Sequence, residues 1–131
     1  MEVVGAIIKN KSNEYLLQQR DKYAPSFKHH WTLFGGLVEQ DETPKKALLR
    51  ELNEEIDLSP DLIESATLIQ TNTNDTNVTQ YIFEVVTTTP VSDLTLREGE
   101  AMEYVSQTSL FDREFAFNIK DVLEKYIKQI R

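Results

Sequence analysis

The chain has 131 residues, of which 40% are hydrophobic and 27% charged, a length and composition that suit one globular domain rather than two ordinary ones. Its formal net charge of -8 argues against a nucleic-acid polymer or a membrane surface as the partner, because both usually require a basic patch. The sequence has no cysteine, which excludes a disulfide framework and a thiolate metal site, and it has no long apolar run or signal peptide, so a cytoplasmic protein is expected.

The N-terminal part of the chain is predicted to form a β-hairpin and then a loop. Residues 3–8 are apolar and β-branched, which indicates a buried strand, and residues 15–20 fit its antiparallel partner across a polar turn. Residues 21–30 have no clear period and are expected to form a loop. We interpret His29 and His30 as ordinary loop residues, because a zinc site needs three or four ligands and no cysteine is available.

A helix is predicted over residues 44–56. Thr43 is a good N-cap, and the proline after it suits the first helical position. The apolar residues at helical spacing are Ala47, Leu48, Leu49, Leu52 and Ile56. At 100° per residue, Glu51, Glu54 and Glu55 fall within roughly 100° of one another and are expected to point away from the core. They form either a solvated acidic face or a site for a hard divalent cation, which would offset their mutual repulsion.

The C-terminal half is predicted to contain three strands and a final helix. Residues 62–71 and 79–87 indicate a second hairpin around the polar turn at residues 72–77, and residues 102–105 indicate a short strand. An amphipathic helix is predicted over residues 118–130. This succession of strands and helices predicts an α+β or three-layer α/β/α domain.

Residues 36–58 resemble the Nudix box, written G-x5-E-x7-R-E-U-x-E-E-x-G-U with U a bulky aliphatic residue. Its fixed positions are matched by Gly36, Glu42, Arg50, Glu51, Leu52, Glu54, Glu55 and Leu58. Asp57 stands where the box has its last glycine, and Trp31 to Gly36 resembles the usual W-x-x-P-G-G with Phe34 in place of proline. The chain is thereby identified as a member of the Nudix hydrolase family, in its MutT-like branch. The resemblance implies one Nudix domain over residues 1–131, with a mixed sheet between helices.

The resemblance implies a metal centre that holds Mg²⁺ or Mn²⁺. Glu54 and Glu55 are the expected principal ligands, Glu51 is a further ligand, and the carbonyl of Gly35 is an additional one. Arg50 is expected to orient a glutamate of the box by a charge-assisted hydrogen bond.

The resemblance leaves the general base open between two glutamates. Glu54 is one candidate, and Glu98 is the other because its loop resembles one that carries a metal-facing glutamate in MutT-like members. Glu100 and Glu103 compete with Glu98 for that role. The catalytic set implied by the family is therefore Arg50, Glu51, Glu54 and Glu98.

Two residues outside the box are candidates for binding substrate. Arg20 is either a solvated arginine or a ligand for phosphate or a base edge, and MutT-like enzymes often place an arginine there. Asn118 matches an asparagine that reads a guanine edge, but it is also a good helix N-cap. The implied reaction is Mg²⁺-dependent hydrolysis of a nucleoside triphosphate, modified or not, to a monophosphate and pyrophosphate. The alternatives are a nucleotide-sugar or ADP-ribose pyrophosphatase and a non-catalytic nucleotide sensor, acting as a monomer or homodimer.

Several residues are expected to shape the loops around the box. Gly35 and Gly36 predict a tight turn that brings a backbone carbonyl close to a cation or phosphate. Glu42 is expected to brace the junction between loop and helix. Asp41 and Asp57 replace glycines that are common in the family, and both are expected to have positive φ.

Overall fold

A mixed β-sheet forms the centre of the computed structural model, which describes residues 1–130. Within that range the sheet has seven strands: β1 (Glu2–Lys9), β2 (Glu14–Gln19), β3 (Trp31–Thr32), β4 (Phe34–Leu37), β5 (Ile63–Thr73), β6 (Thr79–Thr87) and β7 (Ala101–Ser106). The helices are α1 (Pro44–Ile56) and α2 (Ile119–Gln129), and short 3₁₀ turns span Pro60–Leu62, Val91–Asp93 and Gln107–Asp112. No helix in the described range combines the length and apolar character needed to span a membrane.

The two helices pack on opposite faces of the sheet. Alternate residues of β1 point to opposite sides, so that Val4, Ala6 and Ile8 share one core with α1, whereas Ile7 belongs to a second core with α2. Buried Leu52 anchors α1 in the first core, and the predicted three-layer α/β/α arrangement of an α+β domain is confirmed.

The first two strands separate along their length, and this creates the cleft in which the candidate site lies. β1 runs parallel to β6 over residues 2–9 but pairs with β2 only at residues 8 and 9. Residues 3–6 of β1 pair instead with β4, while residues 18 and 19 of β2 pair with β3. The gap between the diverging ends is a cleft of about 210 Å³.

The sequence predictions of two hairpins, β1–β2 and β5–β6, and of both helices are confirmed. The prediction of a tight turn at Gly35 and Gly36 is wrong. Both glycines are extended residues of β4, a strand that the sequence did not predict. A Cβ on Gly35 would lie 2.0 Å from the Val4 carbonyl oxygen, so glycine permits close strand pairing here rather than a turn. β5 also continues to Thr73, which shortens the predicted polar turn.

Shortening Leu52 should destabilise the whole domain, because this side chain is fully buried between α1 and the sheet. We expect Leu52→Ala to lower the free energy of unfolding by about 2–5 kcal/mol, measured by urea denaturation. Leu68→Ala is the control, since Leu68 is 48% exposed, and it should cost less than about 1 kcal/mol. Equal losses in both variants would contradict this description of the core.

Candidate active site

The helix α1 is fixed at both ends by the residues that the sequence singled out. The Thr43 hydroxyl accepts a hydrogen bond from the Lys46 N–H at 3.2 Å, as expected of an N-cap. Asp57 ends the helix in the left-handed conformation with φ 59°, and Asp41 has φ 66°, so the predicted positive φ of both residues is confirmed. These ends fix where the glutamates of α1 lie.

Arg50 is bound most tightly to Glu42. Its Nε and Nη2 donate to the two carboxylate oxygens of Glu42 at 2.8 and 2.9 Å, a bidentate pair. Glu42 also accepts from the Glu39 N–H at 3.0 Å, and Arg50 Nη2 donates to the Leu37 carbonyl at 3.0 Å. The Arg50 guanidinium, together with the Glu39 N–H, lowers the pKa of Glu42 to about 2. Glu42 therefore lies at the junction of loop and helix, where the sequence predicted a brace.

The remaining nitrogen of Arg50 faces two other carboxylates of the box. Arg50 Nη1 lies 2.9 Å from an oxygen of Glu51 and 3.4 Å from an oxygen of Glu54. These contacts reduce the repulsion that like charges at this spacing would otherwise cause. The pKa of Arg50 is raised, chiefly by the hydrogen bonds to Glu42 and with a smaller contribution from Glu51.

Glu55 differs from the prediction that all three glutamates point away from the core. Its side chain is only 7% exposed, whereas Glu54 is open to solvent. The chain returns over the end of α1, where the Thr95 N–H bonds to the Ile56 carbonyl and covers this side of the helix. A helical wheel gives the angle of Glu55 but not this later segment, which is why the prediction was wrong.

The buried Glu55 carboxylate has the properties expected of a ligand for a hard cation. Burial raises its pKa to about 9, and the nearby carboxylates of Glu51 and Glu98 add to the effect. Within residues 1–130 its Oε2 atom has no hydrogen-bond partner. A bound divalent cation would supply the missing partner and favour the charged form, so the oxygen donors present fit such an ion.

The carboxylates of Glu51, Glu54 and Glu55 are not yet arranged around one metal position. Among residues 1–130, no group of three acidic or histidine side chains is already arranged to hold a metal ion. Arg50 holds Glu51 and Glu54 by ion pairs, while Glu55 is buried and makes no ion pair with Arg50 in the described part of the chain. Side-chain rotation toward the ion would therefore be part of binding.

The glycines of β4 allow the acidic residues to lie close to the sheet. A Cβ on Gly36 would lie 2.5 Å from the carboxylate carbon of Glu51, so the fixed glycine of the box leaves room for this side chain. Gly35 lines the 210 Å³ cleft together with Glu55. The structure thus brings both glycines close to the glutamates, while the role of the Gly35 carbonyl as a metal ligand stays a prediction.

Of the three competing loop glutamates, Glu98 is the one that reaches the cleft. It lines the cleft with Glu55, and its charge contributes to the raised pKa of Glu55. Glu100 instead pairs with His29, and Glu103 pairs with Arg113 at 2.8 Å.

Arg20 lines the 210 Å³ cleft, whereas Asn118 lines a second cleft beside it. The Arg20 guanidinium stacks over the Phe117 ring at 5.0 Å from its centroid, and its Nε donates to the Ser26 carbonyl at 3.1 Å. Asn118 and Gln80 form a reciprocal amide pair, with distances of 2.9 and 3.1 Å. The interpretation of Asn118 as a side-chain N-cap is wrong, because within the described chain its side chain makes no capping hydrogen bond to α2.

Three residues near the site were missed by the sequence analysis, namely Gln18, Gln80 and Phe117. Gln18 is a buried polar side chain that follows the apolar residues 15–17 of β2, but Gln19 beside it is also polar, so no sequence signal singled out Gln18. Phe117 is 56% exposed with φ 53°, a rare conformation for a bulky residue that no local sequence pattern indicates. Together with Asn118, Gln80 and Phe117 line a cleft of about 530 Å³.

Comparisons with known proteins agree with this arrangement. The family model of the NUDIX domain matches residues 1–126. An 8-oxo-dGTP diphosphatase from Proteus vulgaris is 34% identical over 79 residues, which are 57% of this chain and 63% of that relative. The fold is shared with a MutT structure described from Aliivibrio salmonicida and Vibrio cholerae, at a TM-score of 0.77, 24% identity, and coverage of 98% of this chain and 97% of that one.

A second solved structure has the same fold with a bound ligand. It is the NUDIX domain of Shewanella oneidensis NrtR complexed with ADP ribose, with a TM-score of 0.76, 16% identity, and coverage of 100% of this chain and 88% of that one. The family model and the geometry of the box agree, and the chain belongs to the Nudix family.

The pair of Glu42 with Arg50 should stabilise the protein in a pH-dependent way. The pKa of Glu42 falls from its ordinary 4.5 to about 2 on folding, so its contribution is complete above pH 4.5 and is lost as the pH falls toward 2. We expect Glu42→Gln to lower the melting temperature at about pH 7, with the difference from the parent shrinking between about pH 4.5 and pH 3.

The control for this variant is Glu39→Gln. Glu39 also faces Arg50, but its oxygen is 3.6 Å from Nη1 and its side chain is 67% exposed, so the loss should be smaller. A Glu42→Gln difference that stays constant with pH would show that the variant acts through packing instead of charge.

Proposed function

We propose that this chain is a Mg²⁺-dependent hydrolase of nucleoside diphosphate-linked compounds, with a nucleoside triphosphate, modified or not, as its substrate. The observation that carries the proposal is Glu55, a buried carboxylate with an unpaired oxygen in a cleft that also contains Glu98 and Arg20. An unpaired buried carboxylate costs free energy unless a cation or proton compensates it. Such a site is suited to a metal-bound phosphate chain.

The metal would be held by Glu51, Glu54 and Glu55, with the Gly35 carbonyl and Glu98 as additional ligands. When bound, the ion would neutralise the phosphate charge and increase the acidity of the attacking water. Manganese could replace magnesium, because both accept oxygen ligands.

Within this proposal the residues of the chain have distinct tasks. Arg50 keeps Glu51 and Glu54 oriented by its shared nitrogen, while Glu42 keeps Arg50 in place. Glu98 or Glu54 takes the proton from the attacking water, and Glu98 is favoured because it lines the same cleft as Glu55. Attack at a phosphorus of the substrate releases a nucleoside monophosphate and pyrophosphate.

The proposed base site is the cleft that contains Asn118. Its amide can donate to and accept from one base edge, and the pairing with Gln80 fixes how the amide is turned. The exposed Phe117 ring beside it offers a face for stacking a planar base. The named activity of the Proteus vulgaris relative, an 8-oxo-dGTP diphosphatase, supports a purine nucleotide.

An ADP-ribose or nucleotide-sugar pyrophosphatase is the second candidate. It is favoured by the NrtR domain of the same fold, which was solved with ADP ribose. A non-catalytic sensor is less well supported, because such a protein would not need the complete set of Arg50, Glu51, Glu54 and Glu55.

A nucleotide panel tests the proposal directly. The purified protein is incubated with Mg²⁺ or Mn²⁺ and with canonical and oxidised nucleoside triphosphates, ADP-ribose and nucleotide sugars, and the products are separated by chromatography. We expect a monophosphate and pyrophosphate from a purine triphosphate. Release of ribose phosphate from ADP-ribose would favour the second candidate. If no compound is hydrolysed with either metal, the proposed hydrolase activity is refuted.

Removing the charge of Glu54 should reduce both metal affinity and rate. Glu54→Gln keeps the shape of the side chain, so we expect kcat to fall about 10²–10⁴-fold, the range for losing a general base or a major electrostatic contribution. Steady-state kinetics over a Mg²⁺ series measures this. Glu124→Gln, an exposed position on α2, is the control and should leave kcat unchanged. Full activity of Glu54→Gln at low Mg²⁺ would contradict the proposed metal site.

Changing the amide of Asn118 should alter base preference without unfolding the protein. Asn118→Asp can still accept a hydrogen bond from Gln80 but loses the amide donor, so the ratio of kcat/KM between bases should collapse. The melting temperature should change little, because the native side chain does not cap α2. Asn13→Asp, in an exposed turn, is the control. An unchanged base preference would remove Asn118 from the base site.

A further inference from the structure

The loop that carries Glu98 is attached to the end of β2. The side-chain amide of Gln18 donates from Nε2 to the Glu98 carbonyl at 2.7 Å. The N–H of Glu100 donates to the Gln19 carbonyl at 2.9 Å. Both bonds act on the main chain of the loop, so they fix its path without using the Glu98 carboxylate.

The same loop is attached to the end of α1. The Arg97 N–H donates to the Glu55 carbonyl at 3.0 Å, and the Arg97 guanidinium pairs with the carboxylate of Asp57. Asp57 stands where the box has glycine, so this ion pair belongs to this chain and not to the general motif. The loop is therefore held between a helix end and a strand end.

Gly99 allows the loop to lie directly against β2. Its φ is 90°, which favours glycine, and a Cβ there would lie 2.6 Å from the Gln19 carbonyl oxygen and 3.0 Å from side-chain atoms of Gln18. The close contact excludes a larger residue at this position and lets the main chain of the loop lie within hydrogen-bonding distance of Gln18 and Gln19.

Gln18 is buried without being needed for the sheet. It is 6% exposed, and the ladders of β2 with β3 and β7 are formed by backbone groups. Burying an amide at this position costs free energy unless it is hydrogen-bonded, whereas an apolar side chain would not carry that cost. Its bond to the Glu98 carbonyl is the contact that compensates the burial, and this contact leads directly to the cleft.

We propose that Gln18, assisted by the Asp57–Arg97 pair, is a positioning residue that holds the Glu98 carboxylate opposite Glu55. The expected effect of Gln18 on the rate rests on the proposed hydrolysis. Its effect on the position of the loop can be tested without any substrate. Gln18 acts through the main chain of Glu98, so its effect on the rate must depend on the Glu98 side chain.

A double-mutant cycle tests the dependence. Gln18→Met removes the amide donor at similar volume, and we expect kcat to fall about 10- to 100-fold, as for a catalytic group displaced by a fraction of an ångström to one ångström, with KM nearly unchanged. In a Glu98→Gln background the same substitution should cost no further activity. Equal fold losses in both backgrounds, or a loss confined to KM, would overturn the proposal.

The control must lose a comparable buried hydrogen bond elsewhere. Thr87→Val suits this purpose, because the fully buried Thr87 hydroxyl donates to the Leu62 carbonyl at 2.6 Å, at the end of β6 far from Gln80. It should lower the melting temperature and leave kcat unchanged. If Thr87→Val reduces kcat as much as Gln18→Met does, the effect of Gln18 is general destabilisation and the proposal fails.

Hydrogen exchange provides a readout that needs neither metal nor turnover. In the metal-free protein, Gln18→Met should accelerate exchange of the Glu100 amide by about tenfold, the equivalent of one weakened hydrogen bond, while Thr87→Val should leave it unchanged. Unchanged exchange of the Glu100 amide in Gln18→Met would overturn the proposed positioning role of Gln18, even if the enzyme is active. If Gln18→Met accelerates exchange but the parent protein hydrolyses no nucleotide, the attachment of the loop by Gln18 is supported and only the proposed function is refuted.

The second attachment is tested by Asp57→Gly, which restores the residue of the box. Exchange of the Arg97 amide should accelerate, by less than the Glu100 amide does in Gln18→Met, because exposed ion pairs contribute little. Lys11→Met, which removes the exposed pair with Glu64 at 3.2 Å, is the matched control. If the Arg97 amide exchanges at the same rate in both variants, Asp57 does not help to hold the loop.

Discussion

The acidic end of α1 depends on one guanidinium. Four carboxylates, those of Glu39, Glu42, Glu51 and Glu54, lie within 3.6 Å of nitrogens of Arg50. Without this cation their mutual repulsion would oppose both the helix and its approach to β4. The bidentate contact with Glu42 sets the orientation of the guanidinium, and its remaining nitrogen then sets where Glu51 and Glu54 point. The arrangement keeps several negative charges in one place, which is what the proposed cation site requires.

The sheet supplies the space in which these charges act. Because β1 pairs with β2 at one end and with β4 at the other, β1 and β2 separate and leave a cleft lined by Gly35, Glu55 and Arg20. The close approach of β4 to β1 is possible only because Gly35 has no Cβ, and the close approach of Glu51 depends in the same way on Gly36. Fold and site therefore share the same constraint, which explains why the sequence pattern of the box includes glycine as well as charged residues.

Local patterns predicted the parts of the molecule that local physics decides. The amphipathic period of α1, its N-cap and the two hairpins were all visible in the sequence, and so was the grouping of Glu42, Arg50 and the glutamates of the box. The burial of Glu55 was not visible, because it is produced by a segment about forty residues later in the chain. The bond of Asn118 with Gln80 was missed for the same reason, and the extended Gly35 was misread because a glycine pair is more typical of turns. Such contacts depend on the tertiary fold, which no periodicity describes.

The aspartate that replaces the last glycine of the box shows how a long-range contact can compensate a locally unfavourable residue. Asp57 occupies a left-handed position that glycine adopts more easily, and its charge lies at the negative end of α1, where the helix dipole disfavours an anion. Yet the pKa of Asp57 is lowered, chiefly by the hydrogen bond from Arg97, so the folded protein favours the charged carboxylate. The contact with Arg97 therefore stabilises a negative charge at the end of the helix. Asp57 departs from the motif, but in the fold its ion pair with Arg97 joins the end of α1 to the loop that carries Glu98.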